Sequence, residues 1–273
     1  MNMLTILEAV LKQSVLFFPL ALGVYLSFSI LRTTDMTTEG SFVLGAGVFA
    51  RLSTEFNPFF CLGMALFSGM LAGFGVSRIQ AKEKINSLMA GIIGLFILYS
   101  VNFQVMGRPN INLSSIEKIP GLYFAGIIGF IVVGVALLMM SRLGLLLRAF
   151  GNNQVLLGIL GKNVEGYRML GLGLSNALAA LCGALTAEAN GYADLGMGFG
   201  MTLTGISAVM IGQRLTSTLF PFTLFNIARE ILACFLGVMI YFVAMNALLL
   251  YGVDPIYLKC VLGIALIFLL RGR

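Results

Sequence analysis

The sequence predicts an all-α polytopic membrane protein, a single transmembrane domain over 1–273 with about eight transmembrane helices and one or two half-helices or re-entrant segments. Three observations predict it. Of 273 residues, 59% are hydrophobic and 10% charged, against roughly 25% charged in a soluble domain. Mean hydropathy is +1.00, and apolar runs recur along the whole chain, so one cleaved signal peptide does not account for them. The basic residues cluster at the ends of those runs, where a bilayer accepts them.

The elements follow from the length rule that about 20 apolar residues cross the hydrocarbon core. Run 4–31 is the first span. A polar segment, Thr33-Thr34-Asp35-Met36-Thr37-Thr38-Glu39-Gly40-Ser41, separates it from the short apolar piece 42–52, read as a half-helix. Spans 59–77 and 86–105 flank a turn at 78–84, where Arg78, Lys82 and Lys84 oppose only Glu83; that turn is expected in the cytoplasm. Residues 106–120 form an external loop, 121–141 returns, and the basic stretch 142–168 is again cytoplasmic. Spans 169–189, 199–212, 231–250 and 255–270 complete the set, with a second short piece at 215–228 and an external turn at Asp254-Pro255. Arg214 marks another inside turn, and Arg271 and Arg273 place the C-terminus in the cytoplasm. The N-terminus is inside if 42–52 dips without crossing and outside if it crosses; the reading adopted is the first.

Composition also excludes. The chain has no histidine, which removes imidazole acid–base chemistry and most zinc sites. Cys61, Cys182, Cys234 and Cys260 lie in apolar runs without paired spacing, as small membrane-buried hydrophobes do. No cofactor is expected. The net charge of +6 is the inside bias of the loops, not a nucleic-acid surface. Gly63, Gly69 and Gly73, and Gly121, Gly126, Gly129 and Gly134, have the small-residue spacing that lets helix backbones approach.

Polar residues at membrane depth are expensive, so each has either a partner or a role. At 33–41 the carboxylates and hydroxyls begin the short piece 42–52, and Thr38, Glu39 and Ser41 could cap it. One reading is an external loop with a cap; the other is the lining or gate of a solute path. A similar element recurs at 188–200, where glycines 196, 198 and 200 would break a helix after Glu188, Asn190 and Asp194. A surface hairpin is the alternative there. Candidate path residues are therefore Asp35, Thr37, Thr38, Glu39, Ser41, Glu188, Asn190 and Asp194. Asn176 reads as an interhelical hydrogen-bonding residue, and Arg229 with Glu230 as a local pair or interfacial anchor.

The long interruption at 142–168 carries Arg142, Arg148, Lys162 and Arg168 against Glu165. Within it, apolar residues at 155, 156, 157, 159 and 160 are bracketed by Gly151-Asn152-Asn153 and Gly161-Lys162-Asn163, which predicts a helix of about two turns. Such a helix is too short to stand alone. The stretch resembles the R-A-x-G-x-N-x-x-A-A-x-x-x-G-I element of permease subunits of ABC importers of the branched-chain amino acid/ribose type. Arg148, Ala149, Gly151, Asn153 and Gly161 match; Leu156 and Leu157 replace the alanine pair, and Lys162 the isoleucine. D-M-T-T-E-G-S-F at 35–42, the glycine-rich helix 170–185, Y-A-D-L-G-M-G-F-G-M at 192–201 and D-P-I-Y-L-K at 254–259 are similar to family elements in the same order.

The resemblance implies a coupling helix docking into an ATP-hydrolysing subunit through Arg148, Gly151, Asn153, Leu156, Leu157 and Gly161. It also implies an external solute-binding protein, a second permease copy, a multi-pass location in the bacterial inner membrane among its lipids, and no covalent chemistry in this chain. No G-x-x-x-x-G-K-[ST] segment occurs, so the ATPase is expected on another chain. An amino acid or other small polar solute is the expected cargo. The competing reading is an ion-coupled secondary transporter, which predicts paired broken helices and a carboxylate relay through Asp35, Glu39 and Glu188. An intramembrane enzyme lacks a nucleophile–base or metal set.

Overall fold

The structure, a computed structural model, describes residues 3–81, 85–113, 121–219 and 226–250, together with 252, 257 and 260. Ten α-helices and one short two-stranded ribbon are present among them. Five helices are long and apolar enough to cross a bilayer, six if one bent pair is counted as a single span. The expected span at 255–270 lies outside the described residues except for 257 and 260, and the helix over the expected span 199–212 is not among the five, so a count of eight is not confirmed.

Helix α1, Met3–Val24, runs on through a π-helical turn at Tyr25–Ile30. Just before that turn the Gly23 carbonyl accepts Ser175 Oγ at 2.8 Å from a facing helix. Arg32, with φ 54°, reverses the chain into α2, Thr37–Leu52. Helices α3, Pro58–Ile79, and α4, Ser87–Met106, each start on an asparagine that caps a backbone amide, Asn57 and Asn86. Helix α5, Gly121–Met140, meets α6, Arg142–Asn152, at a bend of 70°. Then come α7, Gln154–Ile159, α8, Val164–Asn190, α9, Met201–Leu219, and α10, Asn226–Leu250. Strand β1, Asn110–Asn112, pairs antiparallel with β2, Tyr192–Asp194, with Ile111 opposite Ala193.

Contacts fix the directions. Leu16 and Gly23 of α1 meet Cys182 and Ser175 of α8, so those two helices are antiparallel. Helix α2 runs parallel to α4, from Met36 beside Gly91 to Gly47 beside Met106. The ribbon therefore marks one face of the bundle and α6–α7 the opposite one. Two expectations change. The piece 42–52 is not a dip: it is the greater part of a 16-residue helix that reaches the ribbon face, because 37–41, though polar, find partners inside the bundle. With α2 running from the bundle interior to the ribbon face and α1 antiparallel to α8, the start of α1 lies on the ribbon face, opposite α7, where the adopted reading had put them together. Of the second short piece, 215–228, α9 takes the residues up to Leu219 and α10 those from Asn226, and 220–225 lie outside the described residues.

The stretch 142–168, expected to be a loop with one short helix, is helical through most of its length. Helix α6 is not expected from the sequence because Arg142 and Arg148 mark the stretch as a basic loop, although its apolar residues between them suit a helix lying at an interface rather than across it. Glycines behave as two groups. Gly69 and Gly73 press on α8 so closely that an added Cβ would fall 2.4 and 2.3 Å from its atoms, whereas Gly63, Gly126, Gly129 and Gly134 face open space.

Candidate functional site

Two broken helices start inside the bundle and meet. Thr38, in the first turn of α2, shares a hydrogen bond of 2.6 Å with Thr202, in the first turn of α9. From there α2 proceeds to the ribbon face, while α9 runs to the α7 face, its Gln213 reaching Ser29 at the end of the π-helical turn. A long helix, an irregular break, a shorter helix and another long helix thus occur twice, α1–α2–α3 and α8–α9–α10, in opposite directions across the bundle. This is the inverted arrangement common to transport proteins.

Around that meeting point the polar residues satisfy one another. Asp35, 3% exposed, accepts the Thr37 amide at 2.9 Å and the Thr37 hydroxyl on one oxygen, and Asn176 Nδ2 at 2.7 Å on the other. Asn176 Oδ1 accepts Ser41 Oγ at 2.7 Å, and its amide also donates to Leu172 O at 2.9 Å. Thr38 Oγ1 lies 3.2 Å from the Asp35 carbonyl. Asp35 thereby sits over the positive end of α2, and Asn176 ties that end to α8. An unpartnered buried carboxyl group would cost several kcal/mol, so the bonds are a condition of its being there.

Glu39 points away from this knot. It lines a cavity of about 330 Å³ with Tyr99, Asn102, Leu195 and Phe199. Asn102 donates to the Gly40 carbonyl at 3.0 Å, and its Oδ1 has no partner among the described residues. The remaining candidates lie on the ribbon face. Glu188 is buried, Asn190 is exposed, and Asp194 accepts Asn110 Nδ2 at 3.3 Å and the Gly196 amide at 2.7 Å. The structure therefore gathers Asp35, Thr37, Thr38 and Ser41 in one place and sets Glu188, Asn190 and Asp194 in another. Thr202 and Asn102 were not singled out as path candidates; nothing in a lone threonine or asparagine of an apolar run distinguishes them.

At the opposite face α7 has a sharply built frame. Asn153 Oδ1 accepts the Leu156 amide at 3.0 Å and starts the helix. Gly161, at φ +69°, stops it, with Lys162 N bonded to Leu157 O at 3.0 Å; the left-handed backbone suits glycine. Leu157 turns inward and is 1% exposed, while Val155, Leu156, Ile159 and Leu160 stand 51–77% exposed. Gly151 lets α6 abut the π-helical turn, where an added Cβ would lie 1.9 Å from Ile30 O. Arg148 faces a cavity instead, with Tyr25, Gln213 and Glu230.

Arg168 joins this frame to the bundle. It is 4% exposed and bonds the Gln80 carbonyl after α3 at 3.1 Å, Glu165 at 3.0 Å and Gln154, the first residue of α7, at 3.1 Å. Its guanidinium stands 5.7 Å over the Phe150 ring of α6. One cation thus links α3, α6, α7 and α8. Its sequence signal was only a charge next to a span.

Comparison of the sequence with known proteins places the chain in a family. Residues 6–270 match the family described as branched-chain amino acid transport system / permease component. An uncharacterized protein of Rickettsia prowazekii is 46% identical over 96% of both chains. A tyrosine transport system permease protein of Clostridioides difficile is 32% identical, covering 97% of this chain and 90% of its own. A nucleoside ABC transporter permease protein of Lactococcus lactis is 32% identical over 53% of this chain and 51% of its own. No solved structure matches. The chain belongs to the branched-chain amino acid transport system permease family and is a multi-pass ABC transporter permease.

Proposed function

We propose that this chain forms the solute path of an ATP-driven importer of amino acids or similar small polar solutes, and that α7 is its coupling helix. The carrying observation is α7 itself, an apolar two-turn helix exposed on one side and anchored by Leu157 and Arg168 on the other. Exposed apolar residues on so short a helix suit a groove on a partner, here the ATP-binding subunit. Asn153 and Gly161 fix its ends, Leu156 is in the contact, Leu157 is its root, and Gly151 with Arg148 seats α6 beneath it. Asn153, Leu156 and Gly161 are thus the part of the coupling set that faces outward.

The path is assigned to the helix breaks. Asp35, Thr37, Thr38, Glu39 and Ser41 line or gate its middle, and Glu188, Asn190 and Asp194 its mouth on the ribbon face, where a solute-binding protein would deliver cargo. Push on α7 passes through Arg168 to α3 and α8, and so to Asn176 and the start of α2. The amino-acid class of cargo draws on the name of the C. difficile relative. A second copy completes the path, in the bacterial inner membrane with the C-terminus in the cytoplasm.

The paired broken helices also suit an ion-coupled secondary transporter, so they do not separate the two readings. Uptake into reconstituted vesicles does: it is expected to need the ATPase subunit and ATP and to survive collapse of the ion gradients. Uptake by this chain alone that collapses with the gradient would overturn the proposal.

A further inference from the structure

Two adjoining cavities share one side chain. The larger, about 710 Å³, lies between α1, α5 and α10, and its walls are apolar: Phe18, Val132, Ala136, Ile231 and Phe235 among them. The smaller, about 350 Å³, is polar and is lined by Ser29, Asn152, Gln213, Arg229 and Glu230. Arg148 of α6 lines both. Glu230 is occupied on either side, by Arg229 at 3.5 Å and by Gln213 at 2.9 Å.

The position matters as much as the composition. Helix α6 leaves α5 at 70°, so with α5 crossing the bilayer α6 lies along its surface, at headgroup depth. Two arginines against one glutamate give the polar cavity a positive balance there. An apolar slot reaching toward the membrane centre, with a guanidinium at its surface end, matches an amphiphile that has a hydrocarbon tail and an anionic head. Basic pockets between transmembrane helices bind lipid headgroups on this principle, and arginine suits phosphate oxygens better than a point charge does.

We propose that this paired cavity is a binding site for one anionic phospholipid per chain, its acyl chain between α5 and α10 and its phosphate on Arg148. The site shares Arg148 with the seat of α6 proposed above, and its lipid test is read without the ATPase subunit or solute uptake. The lipid would wedge α5 and α6 against the rest of the bundle.

Native mass spectrometry of the purified full-length protein tests it with phosphatidylglycerol, with phosphatidylcholine of the same chains, and with free glycerol phosphate. The unmodified protein is expected to retain one phosphatidylglycerol, preferred over phosphatidylcholine, and no glycerol phosphate. Arg148→Gln should lower that preference by roughly fivefold, the effect of one basic residue at an anionic surface, while Ala136→Phe should reduce retention of both lipids. In case either variant misfolds, phosphatidylglycerol carrying a diazirine in its acyl chain is photolysed on the unmodified protein, where label is expected on α5 and α10. Glycerol phosphate bound as well as the lipid, an unchanged preference in a folded Arg148→Gln protein, or label confined to other helices would each overturn the proposal.

Discussion

The knot at the start of α2 and the knuckle of α7 each invert the ordinary distribution of polarity, in opposite senses. At the knot, Asp35, Thr37, Thr38, Ser41 and Asn176 are polar and buried, and they bond to one another. At the knuckle, Val155, Leu156, Ile159 and Leu160 are apolar and exposed. The first region has found its partners inside the chain; the second has none among the described residues. Internal satisfaction makes a region costly to disturb and sensitive to single changes. An unmet apolar surface is cheap to alter in the isolated chain and expensive only in a complex. The two regions should therefore separate stability from assembly.

The largest expected effect on stability is at the knot. Asn176→Leu removes a partner of Asp35 and of Ser41 together, and is expected to cost about 2–5 kcal/mol, as leaving two buried polar groups short of a hydrogen bond does. Thermal unfolding in detergent measures it, and a loss under about 1 kcal/mol would mean that the knot is not structural. Next comes Arg168→Met. It keeps an unbranched apolar stem but removes the guanidinium from the Phe150 ring, the Gln80 carbonyl and Gln154, for roughly 2–3 kcal/mol. Reconstituted with its ATPase, this variant should still bind the subunit yet transport several times less per ATP hydrolysed; unchanged coupling would show that force reaches α3 and α8 by another route.

Gly161→Ala is expected to cost about 1 kcal/mol, from forcing a Cβ into the left-handed region. Amide exchange across α7 reads it, with faster exchange at Leu160, Gly161 and Lys162 and no change at α2.

What the sequence disclosed follows the same division. The apolar runs, the basic faces and the bracketed helix at 154–159 were legible because each is written in consecutive residues. Asn153 and Gly161 announced the ends of α7 through local backbone chemistry. The Asp35–Asn176 bond was not legible, since its partners lie 141 positions apart and nothing local pairs them. The same is true of Thr38 with Thr202. Helix α2 was cut short because its first turn is polar, a turn the bundle accepts only through those distant partners. Leu157 is grouped with Leu156 by the resemblance, where the two replace an alanine pair, although neighbouring residues of a helix point to different sides, and Leu157 is the buried one.

Capture of the ATPase subunit is the most direct test that α7 is the joint between hydrolysis and transport. Leu156→Asp with Ile159→Asp alters two exposed side chains and should change stability by less than about 0.5 kcal/mol each. The double variant is expected to fold, to melt like the unmodified protein, and to lose co-purification of the ATP-binding subunit by about tenfold or more, as removal of interface anchors does. Full capture and full ATP-driven uptake by that variant would contradict the account.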